Sequence, residues 1–137
     1  MKSANITITF NGQTEEAFNL YKSVFGGEFL MLQRMKDIPN APEMPEAEAN
    51  KILFMSLPMG NSVLMGMDIP AHMPQSKEGT NFMVTIETDS VEETTHFFNG
   101  LAEGGHVMMP LGDQFWGAFF GMVTDKFGIQ WMLSFTK

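Results

Sequence analysis

Few side chains in this sequence are suited to chemistry. Three histidines, at positions 72, 96 and 106, are the natural proton carriers near neutral pH. His96 follows Glu92 by four residues, a spacing that lets two side chains share one ion on a helix. With Asn99 and Glu103 the pair also reads as a solvated helix face, and that reading is favoured. His72 lies between Ala71 and Met73 in a proline-containing stretch, where it could act as a general acid or base if the stretch closed over a site. His106 follows Gly104-Gly105 and reads as a residue at a sheet edge. Among the carboxylates, Glu87 closes a strand pattern and Asp113 precedes Phe115-Trp116. Both have the competing reading of solvated loop-end acids, as do Glu43, Glu46 and Glu48. His72 and Glu87 are the candidate catalytic residues. No Ser-His-Asp arrangement stands out.

The bulk of the chain narrows the chemistry further. Among 137 residues there is no cysteine, which excludes disulfides, thiolate metal sites and a cysteine nucleophile. A net charge of -8 with eight scattered Lys and Arg argues against nucleic acid and anionic membrane surfaces as partners. The N-terminal stretch MKSANITITF alternates apolar and polar residues, so it lacks the unbroken apolar run of a signal peptide. No run approaches the ~18 residues of a membrane span. A cytoplasmic location is therefore expected. Fourteen methionines are many; they suit a plastic core or an adaptable pocket.

The elements that must position these residues follow a doubled pattern. Ile6 to Phe10 alternates as a half-buried strand, Asn11-Gly12 breaks it, and a helix runs from about Thr14 with Ala17, Tyr21, Val24 and Phe25 on one face until Gly26-Gly27. Phe29 to Met35 reads as a strand, Lys36 to Asn50 as a proline-rich loop, and Ile52 to Leu57 with Ser62 to Met65 as a hairpin. Met67 to Thr80 is a second loop. Then the pattern restarts: Phe82 to Ile86 as a strand, Ser90-Val91-Glu92-Glu93 as a capping box, a helix to Gly104-Gly105, a strand from His106, and a hairpin of Phe119 to Val123 with Ile129 to Leu133. Tyr21 matches Phe98, Val24 matches Leu101 and Gly26-Gly27 matches Gly104-Gly105, a repeat of roughly 77 residues. The fold class is α+β: two βαβββ modules, about 1–66 and about 80–137, in a single domain of 137 residues with helices outside and a cleft inside.

These residues resemble a known family. The Phe10-Asn11-Gly12 turn with Glu15-Glu16-Ala17 and Tyr21, the Val24-Phe25-Gly26-Gly27 helix end, and Leu101 with Gly104-Gly105 carry part of the likeness. Phe115-Trp116-Gly117, Gly121, Val123-Thr124-Asp125-Lys126-Phe127-Gly128 and Trp131-Met132 carry the rest. The chain is similar to the vicinal oxygen chelate superfamily, the glyoxalase and bleomycin-resistance fold, and within it to the PhnB-like branch. Members of that branch are also labelled 3-demethylubiquinone methyltransferase-like. No glycine-rich strand-to-helix loop suits a nucleotide-like methyl donor here, and that label is discounted. The resemblance implies clefts that hold metal ions, substrates or antibiotics, commonly in a homodimer.

Metal-using members place His, Gln or Glu on the first and last strands of each module, and the resemblance puts Thr7, Met65, Met83 and Leu133 at those places. None is a good ligand for a hard or borderline divalent ion, so neither a metal nor another cofactor is expected. Strand alternation puts Asn5, Thr7 and Thr9 on the cleft side of the first strand, and Asn81, Met83, Thr85 and Glu87 on that of the second module. The expected substrate-binding set is Thr7, Thr9, Phe54, Met65, Asn81, Met83, Phe115, Trp116 and Trp131, with Gln130 nearby. Phe54 stands where the branch often carries a histidine. Such a lining suits a small, mostly apolar or aromatic molecule, with loop 36–50 or 67–80 as a lid. The alternatives are a lyase, isomerase or dioxygenase with a remodelled site, and a dimeric structural module without a ligand. Asp125 and Gly128 are expected to form a turn.

Overall fold

The computed structural model describes residues 1–137 as two compact units, Met1–Lys77 and Glu78–Lys137. In the first, β1 (Ile6–Phe10) leads into α1 (Thr14–Phe25). Then come β2 (Met31–Arg34), a 3-10 turn at Met35–Asp37, a short helix α2 (Glu46–Ala49), β3 (Ile52–Met59) and β4 (Ser62–Asp68). The sheet order is β1-β4-β3-β2, with β1 parallel to β4 and the other pairs antiparallel. The second unit repeats this as β5 (Val84–Glu87), α3 (Val91–Ala102), β6 (His106–Asp113), β7 (Ala118–Thr124) and β8 (Gln130–Thr136), in the order β5-β8-β7-β6. The internal repeat is thus present strand for strand, as two separate four-stranded sheets.

Each helix covers one face of its own sheet because its apolar stripe has nowhere else to go. In α1 the stripe is Thr14, Ala17, Phe18, Tyr21 and Val24, all buried, with Phe18 and Tyr21 meeting edge to face at 5.6 Å. β4 lets it come close with a glycine: a methyl on Gly66 would lie 2.5 Å from Phe18 Cε1 and 2.9 Å from Thr14 Cγ2. In α3, Thr94, Phe98 and Leu101 are buried, and a methyl on Gly121 of β7 would lie 2.9 Å from Phe98 Cε2.

Two buried aspartates tie loops to this framework. Asp68, at the end of β4, accepts from the Gly12 and Thr14 amides (both 3.1 Å) and the Thr14 hydroxyl (2.6 Å) with Oδ1, and from the Ile52 amide (2.8 Å) with Oδ2. It thereby supplies the acceptor that Gln13, the residue before α1, does not supply from its own side chain. Asp125 accepts from the Phe127 and Ile129 amides, while Gly128 takes φ 85°, so the expected turn is present.

Several boundaries differ from expectation. The strand expected over Phe29 to Met35 is confined to Met31–Arg34. Loop 36–50 contains α2, whose first turn follows Pro45, a residue suited to starting a helix. Met67 and Asp68 belong to β4 rather than to the following loop. Phe82, expected under the second helix, precedes β5 and is 71% exposed. The capping box is shifted by one residue: Ser90 accepts from the Glu93 amide, but the Glu93 carboxylate accepts from the Asp89 amide.

Candidate functional site

Once each helix has claimed one sheet face, the other face carries whatever chemistry the strands present. Cross-strand register identifies it, because directly paired residues point the same way. Gly66 faces α1, so its partners Ile8 and Met55 do too, and Thr7, Thr9 and Met65 lie on the open face as expected. One row crosses all four strands there: Met31 opposite Ser56, Ser56 opposite Met65, and Met65 beside Thr7. Phe54 shares this face, paired with Gln33.

The second loop comes down on one end of that face. The Thr9 and Ser76 hydroxyls are hydrogen-bonded to each other, and Asn11 holds the Ser76 backbone through its amide at 2.9 and 2.8 Å. Glu48 of α2 accepts from the Ala71 amide at 3.1 Å and pairs with Lys51 at 3.0 Å, so the two loops expected as lids are joined. The Ala71 amide, followed by the Lys51 ammonium, holds the Glu48 carboxyl below its usual range; the adjacent His72 adds a smaller pull in the same direction. His72 is exposed in this loop.

In the second unit Gly121 faces α3, and register places its partner Leu133 on the same side; Trp131 follows, opposite Val123 and beside Val84. This corrects the expectation for Trp131 and Leu133. Trp131 is fully buried and donates from Nε1 to Asp125 Oδ2 at 2.9 Å, so it belongs to the helix-side core. Met83 and Asn81 precede β5, and the Thr/Met pair equivalent to Thr7–Met65 is Thr85–Met132.

The open face of this unit has a polar-aromatic row beside a methionine row. Glu87 lies beside Ser134, Ser134 opposite Phe120, and Phe120 opposite Gly112. Trp116 meets Phe120 edge to face at 5.5 Å and Phe115 at 5.1 Å, with Phe115 98% and Trp116 51% exposed. The aromatic pair sits on the Asp113–Ala118 turn, which Gly117 closes. Gln130 is buried, its amide donating to the Gly79 carbonyl at 3.2 Å.

Relatives of known structure or sequence place this arrangement. The model of the 3-demethylubiquinone-9 3-methyltransferase family matches residues 2–134. The chain belongs to that family. It is similar to protein YjdN of Escherichia coli, 28% identical over 139 residues, covering 95% of this chain and 92% of that one. It is also similar to the crystal structure of protein PA1353 from Pseudomonas aeruginosa, with 36% identity, 98% of each chain covered and a TM-score of 0.80. A PhnB protein from Bacillus cereus, described as a putative member of the same methyltransferase group, shares the fold at 24% identity and a TM-score of 0.79, over 98% of this chain and 100% of that one. So does a glyoxalase/bleomycin resistance/dioxygenase family enzyme from Burkholderia phytofirmans, at 14% identity and 0.64, over 98% and 100%. The fold is that of the vicinal oxygen chelate proteins.

For this family fold the divalent metal implied by the resemblance is a poor match to the residues present. The paired open-face positions hold Thr7 with Met65 and Thr85 with Met132, hydroxyls and thioethers in place of carboxylate or imidazole. No group of three or more His, Asp or Glu is gathered anywhere.

Proposed function

We propose that this protein binds a small, mostly apolar or aromatic molecule on its open sheet faces, without the divalent metal of metal-using members of the fold. The observation that carries the reading is the continuity of Phe115, Trp116 and Phe120 onto an open face lined by methionines. An exposed tryptophan braced edge-on by two phenylalanines is costly to leave in water and well suited to stacking. Thr7, Phe54 and Met65 form the corresponding lining of the first unit, with Thr9 held by Ser76 at its margin. Asn81 and Met83 border the second lining from the segment before β5. The proposal includes a homodimer in the cytoplasm. No helix is long and apolar enough to cross a membrane.

Elemental analysis of protein purified without chelator tests the metal clause: less than a tenth of an equivalent of Ni, Zn, Mn or Fe is expected. A stoichiometric amount of any of them would overturn it.

A second reading has its own observation: Glu87 presents a carboxylate on the same open face as Phe120, beside Ser134. An enzyme of the lyase, isomerase or dioxygenase kind would use Glu87, or His72 from the loop, as its acid/base group. Turnover found in a substrate screen and unchanged in both Glu87→Gln and His72→Ala would remove these residues from the mechanism. Methyl transfer, the activity in the family's name, gains no support from the β1–α1 turn, whose Gly12 amide is already bonded to Asp68.

A further inference from the structure

We propose that the open face of the second unit contains a thioether site for a soft monovalent cation, Cu(I) or its redox-inert analogue Ag(I). Met109 of β6 stands opposite Met122 of β7, and Met122 opposite Met132 of β8. Three methionines therefore follow one another across three adjacent strands in direct register, each half-buried. Thr85 of β5 completes the row, its hydroxyl 3.7 Å from the Met132 sulfur.

Neighbouring strands lie about 4.8 Å apart, and a methionine has three rotatable side-chain bonds, so the outer two sulfurs can lean toward the central one. The bulges on either side of Met109 loosen β6 and give its side chain further latitude. Three thioethers without carboxylate, imidazole or thiolate select against Zn, Ni and Mn and in favour of Cu(I). The first unit lacks the central sulfur: the row there runs Met31, Ser56, Met65, Thr7. The inference stands on the methionine row and is independent of any organic ligand.

The test is anaerobic competition of the intact protein with a chromophoric Cu(I) chelator, with ascorbate keeping copper reduced. Wild type should withhold about one Cu(I) per chain. The Met109→Leu/Met122→Leu/Met132→Leu variant should bind at least tenfold more weakly, with circular dichroism showing that the near-isosteric changes leave the fold intact. Met31→Leu/Met65→Leu should bind as wild type does. No copper withheld by wild type, undiminished binding by the folded triple variant, or loss of binding in the first-unit variant would each overturn the assignment. Should the triple variant fail to fold, Ag(I) titration of wild type labelled with methyl-13C methionine decides: three shifted methyl resonances, assigned to Met109, Met122 and Met132 by single Met→Leu changes, support the site, and any other set refutes it.

Discussion

The indole Nε1 of Trp131 donates to Asp125 Oδ2 at 2.9 Å, and both residues are buried against the helix side of their sheet. The same carboxylate accepts the Phe127 and Ile129 amides with its other oxygen, so one aspartate joins the β7–β8 turn to the core. Trp131→Phe removes the buried indole N–H···Oδ2 bond and should lower unfolding free energy by about 1–3 kcal/mol in urea denaturation. A loss below a few tenths would show that the bond contributes little. Iodide separates the two indoles: Trp116, 51% exposed, should quench, while Trp131, fully buried, should resist quenching in Trp116→Phe.

Asp68 uses both oxygens as acceptors for four donors from two segments, residues 12–14 and the start of β3. In Asp68→Asn, either orientation of the amide turns its NH2 toward N–H or O–H donors, leaving buried groups unpaired. The expected cost is about 1–3 kcal/mol. A variant as stable as wild type would show that the start of α1 needs no such anchor.

Gly66→Ala should destabilise by about 1–3 kcal/mol, because the added methyl meets the Phe18 ring, which is held between α1 and the sheet. Stability equal to wild type in thermal unfolding would mean that α1 can lift away without penalty.

Arg34 clamps Glu15 with two bonds, NH1 to Oε1 at 3.0 Å and NH2 to Oε2 at 2.6 Å, and this contact holds the Glu15 carboxyl below its usual range. A carboxyl with a lower pKa in the folded than in the unfolded chain stabilises above the unfolded value. That contribution is lost as pH falls through the folded value. The stability gap between wild type and Glu15→Gln should be under about 1 kcal/mol at pH 7, since the pair is partly exposed, and should close below about pH 4. A gap that widens in acid would contradict the assignment.

What the sequence made legible depended on whether one periodicity dominated. Ile6, Ile8 and Phe10 alternate with polar Thr7 and Thr9, and the open face of β1 could be read directly. β8 offers no such contrast: Gln130, Trp131, Met132 and Leu133 give three apolar residues in succession, and only pairing with Val84 and Gly121 shows that Trp131 and Leu133 face α3. The methionine row was invisible because register between distant strands is set by loop lengths and bulges. α2 was hidden by the prolines around it, and the anchor at the start of α1 by sequence distance, since Asp68 lies 54 residues from Thr14.

The most direct test of the binding account is a titration of Trp131→Phe, whose only tryptophan is Trp116, with N-phenyl-1-naphthylamine, a neutral aromatic probe. Energy transfer from Trp116 to the probe should rise saturably, and probe fluorescence should fall at least fivefold when Trp116→Ala is titrated in parallel. Linear, unsaturable transfer, or equal probe binding by Trp116→Ala, would contradict it.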